Sequence, residues 1–231
     1  MTLQKMLGFI RRADEKYHMI EPGDSVALGI SGGKDSMALL YGLAEYRRIK
    51  PFTLTGLCVA PEGLDTEKIS SLCALLDVPL HILPAGLPAA EEKNPCARCA
   101  RRRRGMLVKA AGDLHCNALA LAHHMDDARQ TFLLALTQEG RFLSLPPVSQ
   151  MERGGLKLIR PLILAEEKDI RLFCSRYAIN PVKNPCPFDG KTKRQDAAQM
   201  LEMLESMQPD FQNKLATALQ NSDFLRGKSD L

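Results

Sequence analysis

The sequence predicts an α/β fold, an open parallel sheet of about five strands with helices on both faces. Short β-rich runs alternate with stretches of helical period, the pattern left by crossover connections between parallel strands. Polar signatures fall just after the strand-like runs, where open α/β sheets gather their ligands. The chain has 231 residues, 45% of them hydrophobic, enough for one substantial core. We expect a single domain over 1–231, with a helical segment at 1–24, an α/β core at 25–180, and at 181–231 a loop containing Cys186 followed by packing helices.

An amphipathic stretch, Leu3 to Tyr17, comes first. The first strand spans Ser25 to Ile30, and the helix after it runs from about Met37 to Arg48. Thr53 to Val59 reads as the second strand, Thr66 to Leu76 as the next helix and Pro79 to Leu83 as the third strand. An arginine-rich helix, Arg101 to Leu114, precedes a fourth strand at Asn117 to Leu121. A helix at Asp127 to Gln138, a fifth strand at Leu156 to Arg160 and a helix at Glu166 to Tyr177 complete the core. The tail opens irregularly, with Pro181, Pro185, Pro187 and Gly190, and turns helical near Arg194; Leu201, Leu204 and Phe211 are placed to pack it down. Met200, Met203 and Met207 share a helical spacing there and read as core filler.

Composition excludes several classes. No stretch approaches the roughly 18 uncharged apolar residues of a membrane span, and Met1 to Arg12 carries charge where a signal peptide is apolar, so a cytoplasmic protein without membrane contact is expected. Seven cysteines in a chain of this size suggest reduced thiols or metal ligands rather than disulfides. The net charge is only +4, but it is unevenly spread: Asn94 to Gly112 holds six basic residues and no acidic one.

The most informative segment is Ser31-Gly32-Gly33-Lys34-Asp35-Ser36, between the first strand and its helix. Glycines there let main-chain N–H groups and a helix N-terminus approach a phosphate, and Lys34 adds a full charge. A Walker loop would need four residues between its first glycine and Gly-Lys, followed by Ser or Thr; here Gly29 and Gly33 enclose three, and Asp35 follows the lysine. A plain strand-to-helix turn with a Ser or Asp cap is the structural alternative. The hexapeptide resembles the PP-loop of the ATP pyrophosphatase superfamily. That resemblance implies cleavage of ATP between the α and β phosphates, with AMP left on a substrate oxygen.

Cys96 and Cys99 form a C-x-x-C pair, and the tetrapeptide Lys-Asn-Pro-Cys recurs at 183 to 186. Cys58, Cys73, Cys116 and Cys174 fall in apolar patterns and read as buried thiols, leaving Cys186 as the one further cysteine in comparable loop chemistry. Structural zinc wants four ligands, whereas three thiolates suit an iron-sulfur cluster with one iron open to a sulfide or substrate atom. Unligated thiols with Cys186 unrelated remain the alternative. Taken in order, the PP-loop, Pro95 to Gly105 (PCARCARRRRG), Ala120 to Thr131 (ALAHHMDDARQT), Ile159 to Leu162 (IRPL) and Asn184 to Cys186 resemble the tRNA 2-thiocytidine biosynthesis family over most of the chain. The resemblance implies an adenine nucleotide alpha-hydrolase-like fold. It also implies an enzyme that uses ATP, Mg²⁺ and a [4Fe-4S] cluster held by Cys96, Cys99 and Cys186 to replace the C2 oxygen of an anticodon-loop cytidine with sulfur.

Asp126 and Asp127 follow two histidines at a strand end and open a helix, where carboxylates can cap it or hold magnesium. The resemblance places this segment beside the nucleotide, so both aspartates are assigned to magnesium and leaving-group geometry. His123 and His124 are assigned to nucleotide binding, together with Ser31 to Ser36, Val59 and Ala60 at the second strand's end, and Arg160 at the fifth's. Lys34, the two aspartates and the three cysteines are the expected catalytic set. Arg98, Arg101, Arg102, Arg103, Arg104 and Lys109 would attract an RNA backbone, although four consecutive arginines turn about 100 degrees apiece on a helix and cannot share one face.

The expected partners are tRNA and a sulfur donor, either a cysteine desulfurase or free sulfide; no pattern marks an extended dimer surface, and a homodimer stays open. Two features depart from the family: the third cysteine sits in Asn-Pro-Cys-Pro-Phe where relatives carry a second C-x-x-C, and Cys58 to Lys93 is short. The chain also lacks the flanking zinc-binding cysteine pairs of related enzymes that thiolate a T-loop uridine. Rival readings are a PP-loop ligase or sulfurtransferase for a small metabolite or another tRNA base, and a non-catalytic sensor that binds ATP and a cluster.

Overall fold

The computed structural model describes residues 1–86, 95–151, 155–186 and 193–222, and leaves the side chains of residues 95–97 outside the description. Three strands follow the sequence pattern closely: β1 (Ser25–Gly29), β2 (Thr53–Pro61) and β3 (Leu80–Ala85). The next are shorter, β4 (Ala118–Ala120), β5 (Val148–Gln150) and β6 (Lys157–Ile159). They form one six-stranded sheet in the order β3-β2-β1-β4-β6-β5, parallel except for the β5–β6 pair. The α/β class holds, with one strand more than the sequence pattern gave: β5 is three residues long and follows Pro146-Pro147, too short to show a period.

Sheet order reverses between β1 and β4, which pair in register from Val26 against Ala118 to Leu28 against Ala120. That reversal opens a crevice at the carboxyl ends of these two strands. The helices are α1 (Leu3–Tyr17), α2 (Lys34–Tyr46), α3 (Thr66–Leu75), α4 (Pro95–Asp113), α5 (Met125–Glu139), α6 (Glu167–Arg176), α7 (Lys193–Met207) and α8 (Phe211–Asn221). Strand residues alternate between two cores. Val26, Leu28, Leu54, Cys58, Ala118 and Ile159 face the larger one with α1, α2 and α6, while Ala27, Leu57 and Leu119 face a smaller one with Ala111 of α4.

The helix α4 begins at Pro95, a turn and a half before the sequence pattern signalled, because the C-x-x-C run is polar and without apolar period; proline suits a first helical turn. Cys58, Cys73, Cys116 and Cys174 are buried as expected. Leu201 is buried and Leu204 and Phe211 partly so. The methionine stripe differs from expectation: Met200, Met203 and Met207 are 41%, 62% and 75% exposed, because α7 turns Ala197 and Leu201 inward instead. Pro187, Gly190, Lys93 and Asn94 lie outside the described residues. No described helix is long and apolar enough to cross a membrane.

One buried anchor fixes the amino-terminal helix. Asp14, 1% exposed, accepts the Ile20 N–H at 2.9 Å, the Tyr46 hydroxyl at 2.7 Å and the Lys50 ammonium at 2.8 Å. Burial first, and then the bond to Asp14, hold the Tyr46 hydroxyl protonated far above its usual range. Close approach of α1 to α2 is set by Gly42, where a Cβ would stand 2.6 Å from Ile10 Cδ1. Asp14→Ala strips three donors of their acceptor and should destabilise the fold by about 3 kcal/mol, read as a lowered urea midpoint with an unchanged m-value. A midpoint equal to the wild type's would mean that water replaces the carboxylate.

Candidate functional site

The loop between β1 and α2 is shaped by its own side chains. Gly32 has φ +79°, a left-handed conformation, and a Cβ there would stand 3.0 Å from Val182 Cβ and 3.2 Å from Ile69 Cδ1. Its carbonyl accepts the Val182 N–H at 2.8 Å, which ties the loop to the segment leading to Cys186. Ser31 Oγ accepts the Gly33 N–H at 3.3 Å, and Ser36 Oγ donates to the Gly33 carbonyl at 2.9 Å while accepting the Ser31 N–H at 3.2 Å. Lys34 does not stand in the cavity wall. Its ammonium lies 2.8 Å from Glu167 Oε1 and 3.1 Å from Asp35 Oδ2; burial opposes the charge, but Glu167 and Asp35 outweigh it and raise the pKa.

Across the crevice, β4 delivers His123, His124, Asp126 and Asp127. His124 is buried with its Nε2 3.4 Å from Asp127 Oδ2 and 3.7 Å from Asp35 Oδ1, and its Nδ1 3.4 Å from Asp126 Oδ2. The two aspartates serve differently. Asp126 accepts the Glu167 N–H at 2.8 Å and lies 3.3 Å from Arg129 Nη1; Arg129, 2% exposed, also reaches Glu166 Oε1 at 2.9 Å. Burial raises the Asp126 pKa, but His124 and the Glu167 N–H bring it down to about 2. Asp127 accepts the His124 N–H at 3.0 Å and the Arg194 guanidinium at 2.7 Å, and it borders the cavity. His123 also borders it, its Nδ1 enclosed and unpaired, and burial pushes its pKa down to about 4, so this imidazole is neutral at pH 7. Arg160 is buried behind them and donates to the Pro146 carbonyl; burial, then Arg104, lower its pKa to about 10.

The cavity at the crevice measures about 320 Å³, within the range of small-molecule sites. Its wall takes in Ser31, Asp35, Ser36, Val59, His123 and Asp127 from the expected set. Gly32, Gly33, Ala60, His124, Asp126 and Arg160 stand behind that wall or beside it rather than in it. Arg103 and Arg104, assigned from sequence to RNA, border this cavity, as do Gly29 and also Leu107, Leu121 and Arg194, which carried no sequence signal beyond their strand and helix patterns. A Cβ at Gly29 would stand 2.9 Å from Leu121 Cδ2 and 3.1 Å from Leu107 Cδ1, so the glycine makes room for an apolar floor. Asp35 Oδ1 is buried without a hydrogen-bond partner. Two carboxylates, Asp35 and Asp127, thus share the wall with three guanidinium groups, a donor set that suits a polyphosphate carrying a magnesium ion.

A second, smaller cavity adjoins the first. Cys99 and Cys186, far apart in sequence, line it together with Pro61, Ala85, Arg102, Arg103, Met106 and Asn184. Asn184 Oδ1 accepts the Cys186 N–H at 3.2 Å and fixes the turn that presents the thiol. The Cys96 side chain lies outside the described residues, but its backbone stands on α4 three residues before Cys99, hence on the same helix face. Among the described residues no group of three His, Cys, Asp or Glu is placed to hold a metal by itself. A third thiolate at Cys96 would make the set fit an iron-sulfur cluster. Arg98, Arg101 and Arg102 are exposed on α4, and Lys109, also exposed, pairs with Asp113 at 2.5 Å.

The carboxylates around His124 make the site sensitive to pH. Burial disfavours the imidazolium, but Asp126, Asp127 and Asp35 prevail and the His124 pKa is raised. Its contribution to stability is therefore complete below the unfolded value, about 6.5, and is lost as pH climbs through the higher folded value. Urea denaturation in EDTA from about pH 6 to pH 9 should show stability falling in the wild type and a flatter profile in His124→Gln. Identical slopes in the two proteins would remove the imidazolium from this network.

A model of the PP-loop domain matches residues 7–196. The tRNA-cytidine(32) 2-sulfurtransferase of Alkalilimnicola ehrlichii is 35% identical, the match covering 95% of this chain and 74% of the relative. That of Pelobacter propionicus is 32% identical over 92% of this chain and 83% of the relative. Among solved structures, the U34-tRNA thiolase NcsA of Methanococcus maripaludis, described with its [4Fe-4S] cluster, shares the fold with a TM-score of 0.75 at 23% identity, over 92% of this chain and 76% of that one. The NH₃-dependent NAD synthetase of Campylobacter jejuni shares it more loosely, with a TM-score of 0.54 at 18% identity, over 100% of this chain and 99% of that one. The chain belongs to the PP-loop family and, within it, to the tRNA 2-thiocytidine biosynthesis proteins, a family of transferases.

Proposed function

We propose that this transferase uses ATP to activate the C2 oxygen of a tRNA anticodon-loop cytidine and replaces that oxygen with sulfur; its relatives are named as 2-sulfurtransferases of tRNA cytidine 32. The observation that carries the reading is the shared wall of the two cavities: Arg103 borders both the PP-loop cavity and the cavity of Cys99 and Cys186. Activation and sulfur delivery can therefore act on one bound base.

In the first step the C2 oxygen attacks the α phosphorus, the bond to the bridging oxygen breaks, and pyrophosphate leaves with AMP attached to C2 through oxygen. Apolar Gly29, Leu107, Leu121 and Val59 suit a base and ribose, while Ser31, Ser36, Arg103 and Arg104 face the polyphosphate side. Asp35 and Asp127 would hold the magnesium ion that accompanies it, which would supply positive charge to the polyphosphate. Lys34 exchanges Glu167 for phosphate and neutralises charge on the departing pyrophosphate, an electrostatic contribution. Asp126, held by Arg129 and the Glu167 N–H, keeps His124 and its neighbour Asp127 in place. Cys96, Cys99 and Cys186 would hold the [4Fe-4S] cluster, which supplies an iron with no protein ligand where the entering sulfur atom can rest.

In the second step sulfur at the sulfide level adds to C2 and the bond to the AMP oxygen breaks, which requires no added electrons. Sulfide itself, or a cysteine desulfurase with a reductant, is the donor. Exposed Arg98, Arg101, Arg102 and Lys109 lie on α4, the helix that borders both cavities, where an RNA backbone would pass. We propose further that residues 1–231 act as one domain in the cytoplasm.

Nucleoside mass spectrometry of tRNA from the source organism, with and without the gene, tests the reading directly. Loss of 2-thiocytidine, restored by the wild-type gene and not by Lys34→Ala, is expected; the lysine variant should fold normally and turn over about 100-fold more slowly or worse. Unchanged nucleosides would remove tRNA as substrate and favour a small metabolite. Cys186→Ala should lose bound iron and thiolation while keeping ATP affinity, measured anaerobically. Full iron content with normal turnover in that variant would overturn the ligand assignment.

A further inference from the structure

Arg194 is the one cavity residue contributed by α7, and neither the nucleotide set nor the RNA set read from the sequence includes it. Its Nη1 stands 2.7 Å from Asp127 Oδ1, and the side chain is 47% exposed against 15% for the aspartate. A guanidinium has five N–H donors in a planar fork, so this one bond leaves most of the fork available. An exposed ion pair by itself contributes little to a fold, since the Coulomb gain is spent on ordering a long side chain. In the same wall Arg103 and Arg104 come from α4, so Arg194 brings a positive charge to the cavity from a different helix, α7.

We propose that Arg194 is a further nucleotide-binding residue that bridges the Asp127 carboxylate and the β,γ-phosphates of ATP. This rests on the assignment of the cavity to ATP. The bridge orients Asp127 with one arm of the fork and takes phosphate oxygens with the other, the planar recognition for which arginine is suited and lysine is not. The placement also joins the two cavities through the backbone. Val182, bonded to the Gly32 carbonyl, and Arg194, bonded to Asp127, flank Cys186 in sequence, so the third thiol is bracketed by contacts to the nucleotide site.

Calorimetric titration of the full chain, anaerobic and with its metal content retained, tests this with ATP and AMP as probes. Wild type should bind both. Arg194→Gln should weaken ATP by about tenfold and AMP by no more than about twofold, and Arg194→Lys should fall between, because a point charge keeps attraction but loses the fork. Equal losses for ATP and AMP in Arg194→Gln, or an ATP affinity like the wild type's, would overturn the proposal and leave the arginine as a tether for Asp127. If Arg194→Gln fails to fold, Arg194→Lys decides alone: a loss confined to ATP supports the bridge, and equal or absent losses exclude it. A wild type that binds neither nucleotide would instead sink the ATP assignment of the cavity.

Discussion

Three carboxylates gathered around one buried imidazole are the constraint on which the rest of this site depends. Asp35 comes from the start of α2, Asp126 and Asp127 from the start of α5, and His124 stands among them at the β1–β4 reversal. Like charges at these separations would repel strongly in a half-buried crevice if left alone. The chain answers with cations from four directions: His124 in the middle, Lys34 beside Asp35, Arg129 beneath Asp126 and Arg194 over Asp127. These cations come from α2, α5 and α7, and α6 joins through Glu167, which pairs with Lys34 and donates its N–H to Asp126, so compensation of charge also fixes where the four helices meet.

The pairing divides labour between adjacent residues of the same type. Asp126 is engaged by a buried guanidinium, an imidazole and the N–H at the start of α6; burial of Arg129 is tolerable only because Asp126 and Glu166 both face it. Asp127 borders the cavity and leaves its remaining coordination to whatever occupies that space. Two aspartates in sequence can do this because successive helical residues diverge by about 100 degrees.

Much of this was legible in the sequence, for reasons that can be named. The apolar runs that became β1 and β2, the Gly-Gly turn and the strand-end position of the His-His-x-Asp-Asp segment each follow from local pattern, and local pattern suffices where a strand end dictates location. Glutamates 166 and 167 gave no signal, since their roles, pairing with Arg129 and with Lys34, arise only when α6 is brought against α2 and α5. Arg194 was invisible for the same reason. Which of the arginines would reach the nucleotide site was not legible, because charge density is read along the chain whereas helix geometry sorts it by face: of four consecutive arginines, Arg103 and Arg104 border the PP-loop cavity. The exposed methionines show the converse failure, a helical period without knowledge of which face α7 turns inward.

The helix α4 sets the relation between the two kinds of chemistry. Cys99 and Arg103 are four residues apart, so they stand on one face about 6 Å apart along the axis, and Arg104 follows toward the PP-loop cavity. A rigid helix fixes that interval more tightly than a loop would, and its smaller core, with Ala111 against Leu57 and Leu119, anchors it to the sheet that also carries the PP-loop. Pro95 at the first turn of α4 gives the C-x-x-C pair helical spacing from its first cysteine onward. In the proposed reaction an activated base would present its C2 carbon to the entering sulfur while its leaving group is still gripped by the nucleotide site. A single helix shared by both cavities meets that demand without requiring either partner to travel between them.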